Sequence, residues 1–304
     1  MRIAFIGSKS IGQVLLNRLI LSCGDAVAGI VTPDDQTDGR SELSSFQRIA
    51  ASHDVPLLIN DGWSTIQSHL EQWDVELVIV AGWYRRVPVE RMAHVSFYGF
   101  HASPLPRYRG GAPLPWQIIR GEKELGLSFF QLTPGLDEGG IVGSAYTEFG
   151  VEATIADALE WCNDASIDLL DMHLPRLMDG TAVLAEQDES AATYCGQRIE
   201  ADGLIDWSQS AERVHDFVRG QTRPYPGAFT YLPGHGPITI WRTETDARPW
   251  VGVPGAVVER ATGKATVACG RGAVSIFETE LRASGSPVPG DELLTSLRIR
   301  LGDE

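Results

Sequence analysis

Cysteine is scarce: this 304-residue chain has four, Cys23, Cys162, Cys195 and Cys269, far apart and with no C-x-x-C pair. That argues against a zinc site or a disulfide framework and makes buried free thiols the expectation. Positive charge is also short, with 25 Lys+Arg against 40 Asp+Glu and a formal net charge of −15. Nucleic-acid binding draws most of its affinity from Lys and Arg meeting phosphates, so a polyanion is not the expected main partner. A local arginine pocket for one small phosphate stays allowed. The deficit is uneven: residues 1–197 hold 13 basic and 26 acidic side chains, and the remainder 12 and 14. No apolar run reaches the ~18 residues of a membrane-crossing helix, and the first residues lack a basic segment leading into an apolar stretch and cleavage site. The expectation is a cytoplasmic protein with no membrane partner.

What is present is the makeup of a globular protein, 43% hydrophobic and 21% charged. Residues 2–7 form a nearly continuous apolar run, as in a strand buried on both faces of a parallel sheet. Apolar spacing predicts a helix over 8–22, then a strand over 26–31, a helix over 41–52, a strand over 56–59, a helix over 63–73 and a strand over 77–81. This alternation implies a Rossmann-like, doubly wound, mostly parallel α/β sheet, with ligands at the carboxyl ends of its strands. The turn G-S-K-S-I-G at Gly7 to Gly12 does not have dinucleotide-binding spacing, because position 9 is Lys. The helix N-terminus that follows could still favour an anion. A long helix over 154–178 is expected, with Thr154 and Asp157 resembling a capping box and Pro175 kinking or ending it. A polar linker over 186–193 follows. Helical signals then give way to short β runs at 229–232, 238–241, 256–258, 265–268 and 273–278, which suggest a small antiparallel barrel or sheet. The expected domains are 1–195 and 202–304.

The densest chemistry lies between residues 96 and 142. A strand over 97–103 delivers His101 into a Pro/Gly/Arg loop, a helix follows over 112–120, and a second strand over 127–133 leads to Asp137. An imidazole and a carboxylate thus come to neighbouring strand ends. Gly82 to Pro88, G-W-Y-R-R-V-P, sits just past another strand, where substrates of such sheets bind. Two readings stay open there: Trp83 and Tyr84 cap the core beside solvated arginines, or they line a ligand site.

H-A-S-P-L-P-R-Y-R-G-G-A-P-L-P-W at His101 to Trp116, G-L-D-E-G-G-I-V at Gly135 to Val142, D-G-L-I-D-W at Asp202 to Trp207 and R-P-Y-P-G-A-F-T-Y-L at Arg223 to Leu232 occur in that order. Together they resemble the formyltransferases that use formyltetrahydrofolate, over nearly the whole chain. The resemblance implies a catalytic Rossmann-like domain, a smaller C-terminal OB-like β-barrel, and 10-formyltetrahydrofolate as co-substrate. It implies an N-formyltransferase whose acceptor is a small amine. Gly82 to Pro88 and the segment from Arg223 look closer to the sugar-nucleotide group, so the expected acceptor is a nucleotide-linked aminosugar. A siderophore N-hydroxyornithine, or a non-catalytic folate- or nucleotide-binding relative, are the alternatives. The low basic charge argues against a tRNA acceptor, and the second domain against the purine-pathway enzyme. The hydrolases of this folate carry an added N-terminal regulatory domain, whereas this chain opens on the first strand. A homodimer fits the sugar group, and no metal is implied.

Site residues follow from the resemblance. His101 and Asp137 carry over as the catalytic pair. Trp83, Tyr84, Arg85, Val87, Leu105 and Asp137 would lie around the folate, and Arg107, Arg109 and Gly110 would order the loop or meet acceptor phosphate. One departure stands at the centre. The family has Asn two residues before the histidine, and this chain has Gly99. The Ser103 hydroxyl, a backbone N–H or a water is the expected substitute for the lost amide donor.

Overall fold

The computed structural model describes residues 1–283 and 285–302. Its elements in chain order are β1 (Ile3–Gly7), α1 (Lys9–Cys23), β2 (Val27–Thr32), α2 (Leu43–His53), β3 (Leu57–Ile59), α3 (Trp63–Gln72), β4 (Leu77–Ala81), β5 (Ser96–His101), β6 (Arg109–Gly110) and α4 (Pro113–Ile119). They continue as β7 (Glu124–Gln131), β8 (Ile141–Glu148), α5 (Ile155–Met178), β9 (Tyr194–Cys195), α6 (Ala211–Arg219), β10 (Ala228–Leu232), β11 (Gly236–Asp246), β12 (Val257–Ala261), β13 (Lys264–Ala268), β14 (Ala273–Leu281), β15 (Pro287–Pro289) and α7 (Gly290–Leu293). The chain divides into two compact units. One comprises Met1–Pro113, Glu124–Thr147 and Leu159–Gly196; the other takes Leu114–Lys123, Glu148–Ala158 and the chain from Gln197 onward.

The first unit is built on a seven-stranded sheet in the order β3-β2-β1-β4-β5-β7-β8. Strands β3 to β5 along this order are parallel, and β7 joins β5 antiparallel. Strands β1 and β4 are buried at every position, which is why they read as unbroken apolar runs rather than alternating ones. Because Val80 pairs with Gly99, β4 and β5 end side by side, so Trp83 and His101 emerge from neighbouring strand ends. Strand β7 ends two residues earlier than the sequence suggests. Gln131 N–H bonds Gly140 O at 2.9 Å, pinching residues 132–140 into a loop that contains Thr133 and Asp137.

The second unit has its own core, including Ile205, Trp207, Val214, Ile238, Val267 and Ile276. Its antiparallel sheet runs β10-β11-β14-β13-β12, with β15 added to β14. Bridges Tyr231 to Gly302 and Ala256 to Arg300 tie both outer strands to the last described residues, giving a barrel-like closure. Helix α6 was not expected in this β-rich region. Ala211, Val214, His215, Val218 and Arg219 are buried at helical spacing, and Ser210 Oγ accepts a bond from Arg213 N–H.

Pro175 neither ends nor breaks α5, which continues to Met178. The chain leaves the helix at Gly180, whose φ of +72° is the left-handed conformation that ends a helix. Among the described residues no helix is long and apolar enough to cross a membrane.

Candidate active site

His101 closes β5 and is 8% exposed. Its Nε2 lies 2.8 Å from the Tyr108 carbonyl oxygen, which only accepts, so Nε2 carries the proton. That fixes the tautomer and leaves Nδ1 facing Asp137 Oδ2 at 3.6 Å. The same Oδ2 accepts the Gly110 N–H at 2.8 Å. Asp137 is more exposed than the imidazole, 21% against 9% for the side chains, so the carboxylate is the more accessible part of the pair.

The loops after β5 and β7 are held in uncommon shapes. Tyr108, Ala112 and Asp137 have φ of +61°, +50° and +52°, a left-handed conformation that non-glycine residues adopt only when their surroundings dictate it. Gly110, at φ +106°, leaves no room for a side chain, since a Cβ there would meet Cys195 O at 2.5 Å. The short β6–β9 ribbon supplies that constraint. Arg109 N–H bonds Thr193 O at 2.9 Å, Gly111 N–H bonds Cys195 O at 3.0 Å, and Tyr108 N–H bonds Thr193 Oγ1 at 2.9 Å.

Ser103 is fully buried, and its hydroxyl donates to Arg107 O at 2.7 Å. It braces the loop, which takes that hydroxyl out of the role of amide substitute expected from the sequence. Arg109 is only 1% exposed. Its guanidinium donates to Gln187 Oε1 at 3.1 and 2.8 Å and to both Glu189 oxygens at 2.9 and 2.5 Å. The Glu189 bond raises the Arg109 pKa and lowers that of Glu189, so both stay charged. Of its two expected roles, phosphate contact and loop ordering, the geometry assigns Arg109 to ordering.

Residues 186–193, expected as a polar linker, are therefore part of the site. Gln187, Glu189 and Thr193 bind the two loops that present His101 and Asp137. Polar composition alone does not distinguish side chains that face water from side chains bonded to a buried arginine. Cys195 borders the same ribbon, with Sγ 3.1 Å from Gly111 O, and burial together with the nearby Asp137 charge pushes its thiol up to about 11.

At the end of β4, Trp83 and Tyr84 stack with ring centroids 6.3 Å apart. Tyr84 is half exposed, Arg85 pairs with Asp61 and lies over the Tyr84 ring, and Val87 and Leu105 are buried. Trp83 and Leu132 pack against one core cluster. Trp83 Nε1 and Thr133 Oγ1 are buried without a hydrogen-bond partner among the described residues. Such groups are costly unless a ligand or water completes them. The α1 N-terminus, by contrast, is not an open anion site. Lys9 Nζ sits 2.5 Å from Asp35 and 2.8 Å from Asp38, which already neutralise it and place negative charge there.

Gly99 lies on the same face of β5 as His101, two residues before it. The space of a side chain at this position is taken: a Cβ would stand 2.6 Å from Leu132 Cδ1. Leu132 carries no such signal in the sequence, where its neighbours suggest only the end of a strand.

A sequence model of the formyl transferase family, described as "Formyl transferase", matches residues 1–165, and its C-terminal domain model matches residues 198–298. The chain belongs to the formyl transferase family. It is 29% identical to the methionyl-tRNA formyltransferase of Citrifermentans bemidjiense, over 99% of this chain and 95% of the relative. Its fold is similar to that of an N-formyltransferase from Helicobacter canadensis, solved with folinic acid and dTDP-3-aminofucose, at TM-score 0.69 and 15% identity over 91% of this chain and 98% of that one. It is also similar to HypX from Aquifex aeolicus in complex with tetrahydrofolic acid, at TM-score 0.67 and 18% identity. That likeness covers 97% of this chain, which spans about half (47%) of the HypX chain.

Proposed function

We propose that this formyltransferase moves a formyl group from 10-formyltetrahydrofolate to the amine of a small acceptor, a nucleotide-linked aminosugar, in the cytoplasm. The observation that carries the transfer chemistry is the His101–Asp137 pair at the end of β5, with its tautomer set by Tyr108 O. Acyl transfer sheds a proton from the attacking amine and builds negative charge on the formyl oxygen. Asp137 and His101 Nδ1 give that proton a place to go, and their 3.6 Å separation leaves room to tighten when substrate binds. With Gly99 in place of Asn, the charge on oxygen falls to a protonated Nδ1–H of His101 or to a bound water.

The folate fits this site. The unpartnered Trp83 Nε1 and Thr133 Oγ1 suit a flat heterocycle with acceptors on its edge, and the stacked Trp83 and Tyr84 rings offer an apolar face. The formyl group itself is supplied by that substrate. Folate compounds in the solved H. canadensis and HypX structures support the same donor.

The acceptor rests on charge. A net −15, most of it in residues 1–197, is poorly suited to a polyanionic tRNA, and a dTDP-aminosugar bound to a protein of the same fold supports the smaller acceptor. A second reading, methionyl-tRNA, is favoured by the 29% identity to the C. bemidjiense enzyme. Incubating the protein with 10-formyltetrahydrofolate and either a panel of nucleotide aminosugars or charged initiator tRNA, followed by mass spectrometry, decides between them. A formylated sugar supports the proposal and formyl-methionyl-tRNA replaces it. No product from any acceptor, with folate bound, makes the protein a binding relative.

A further inference from the structure

We propose that Gln187 is a positioning residue for formyl transfer that acts through Asp137; this rests on the pairing of His101 with Asp137 proposed above. Asp137 stands at φ +52° in a loop with no regular secondary structure, so its carboxylate is only as well aimed as its backbone is held. Two contacts hold it from different segments. Gly110 N–H binds the carboxylate, and Gln187 Nε2 donates to Asp137 O at 2.8 Å and to Gly139 O at 2.7 Å. One amide thereby fixes the main chain on both sides of the turn that follows Asp137.

The chemistry of the contacts demands glutamine. Gln187 Oε1 receives two N–H groups from Arg109, which is buried and bound on its other side by Glu189. A guanidinium only donates and a carbonyl only accepts, so the amide has one allowed orientation, nitrogen toward the Asp137 loop. Glutamate has the same shape and keeps the Arg109 contact, but it sets an oxygen against two carbonyl oxygens. Arg109 thus serves the carboxylate through Gln187 as well as ordering its own loop, and the polar stretch 187–189 connects the two loops that carry the reacting pair.

The test is Gln187→Glu, with Gln187→Met as a second variant that removes the donors without adding an oxygen. Both are checked for folding by thermal unfolding. In the formyl-transfer assay kcat is expected to fall about 10- to 100-fold, with donor KM within about threefold, because a displaced carboxylate affects the reacting step more than binding. In an Asp137→Asn background the same substitution should cause no further loss, whereas a general weakening of the fold would add to it. A reading that needs no turnover is the 15N shift of the His101 imidazole, assigned by His101→Gln: Gln187→Glu or Gln187→Met should move it when Asp137 is present and not when it is Asn. An active wild-type enzyme whose Gln187 variants keep full kcat and an unmoved His101 signal overturns the proposal. An inactive wild type that still shows the Asp137-dependent shift overturns the transferase reading and keeps the positioning role.

Discussion

Leu132 fills the place that a side chain at Gly99 would take, its Cδ1 lying 2.6 Å from the Cβ position. Where the family resemblance implies an asparagine two residues before His101, an apolar methyl of Leu132 stands in the place the amide would have projected into. The far end of a leucine can move, so the exchange is open to test.

Gly99→Asn alone should destabilise the protein by ~1–3 kcal/mol through overpacking, measured by urea unfolding. Combining it with Leu132→Ala should recover part of that loss and raise kcat above Leu132→Ala alone, by up to about a hundredfold if the amide reaches the formyl oxygen. Equal turnover in the double variant and Leu132→Ala would show that the reaction has no use for a donor there.

His101→Ala should abolish transfer, and Asp137→Asn should lower kcat about 10²- to 10⁴-fold while donor binding, followed by tryptophan fluorescence, persists. Activity retained in both variants would remove the pair from the mechanism.

Gly110→Ala tests the ribbon that supports the site. At φ +106°, with Cys195 O 2.5 Å from the new Cβ, the substitution should cost ~2–4 kcal/mol and pull the Gly110 N–H away from Asp137. Both unfolding midpoint and turnover should drop. A stable, fully active Gly110→Ala protein would show that this N–H does not orient the carboxylate.

Alkaline stability follows from the thiols. Burial pushes Cys162 and Cys269 up to about 12, and burial with the Asp137 charge pushes Cys195 to about 11, against an ordinary value of 9.0. Between those values the native state holds protons the unfolded chain has released, so stability falls as pH rises from about 9 toward 12. Cys162, which is 2% exposed, should contribute most to that decline. Unfolding midpoints at pH 8, 9.5 and 11 should decline, and Cys162→Ala should flatten the decline. A flat profile would contradict the burial of these groups.

Much of the sheet was legible because buried parallel strands leave a plain mark: β1 and β4 are runs of apolar residues, and their spacing with α1 to α3 implies the doubly wound order. His101 and Asp137 were legible as motif residues. Helix α6 was missed although its buried positions recur at helical spacing, because short β runs surround it. Strand β8 was missed because its residues are mostly half-buried, and neither apolar run nor clean alternation results.

The sequence by itself determined the α/β class, the family and the two residues proposed to carry the chemistry, His101 and Asp137, since each depends on local pattern or motif. Only the tertiary structure decided what stands around them. That Ser103 and Arg109 brace loops, that Gln187 ties Arg109 to the turn after Asp137, and that Leu132 occupies the space at Gly99 are contacts between residues up to 78 apart in the chain. Such contacts arise from strand register and loop closure, which bring distant polar groups together and oblige each buried donor and acceptor to find its partner.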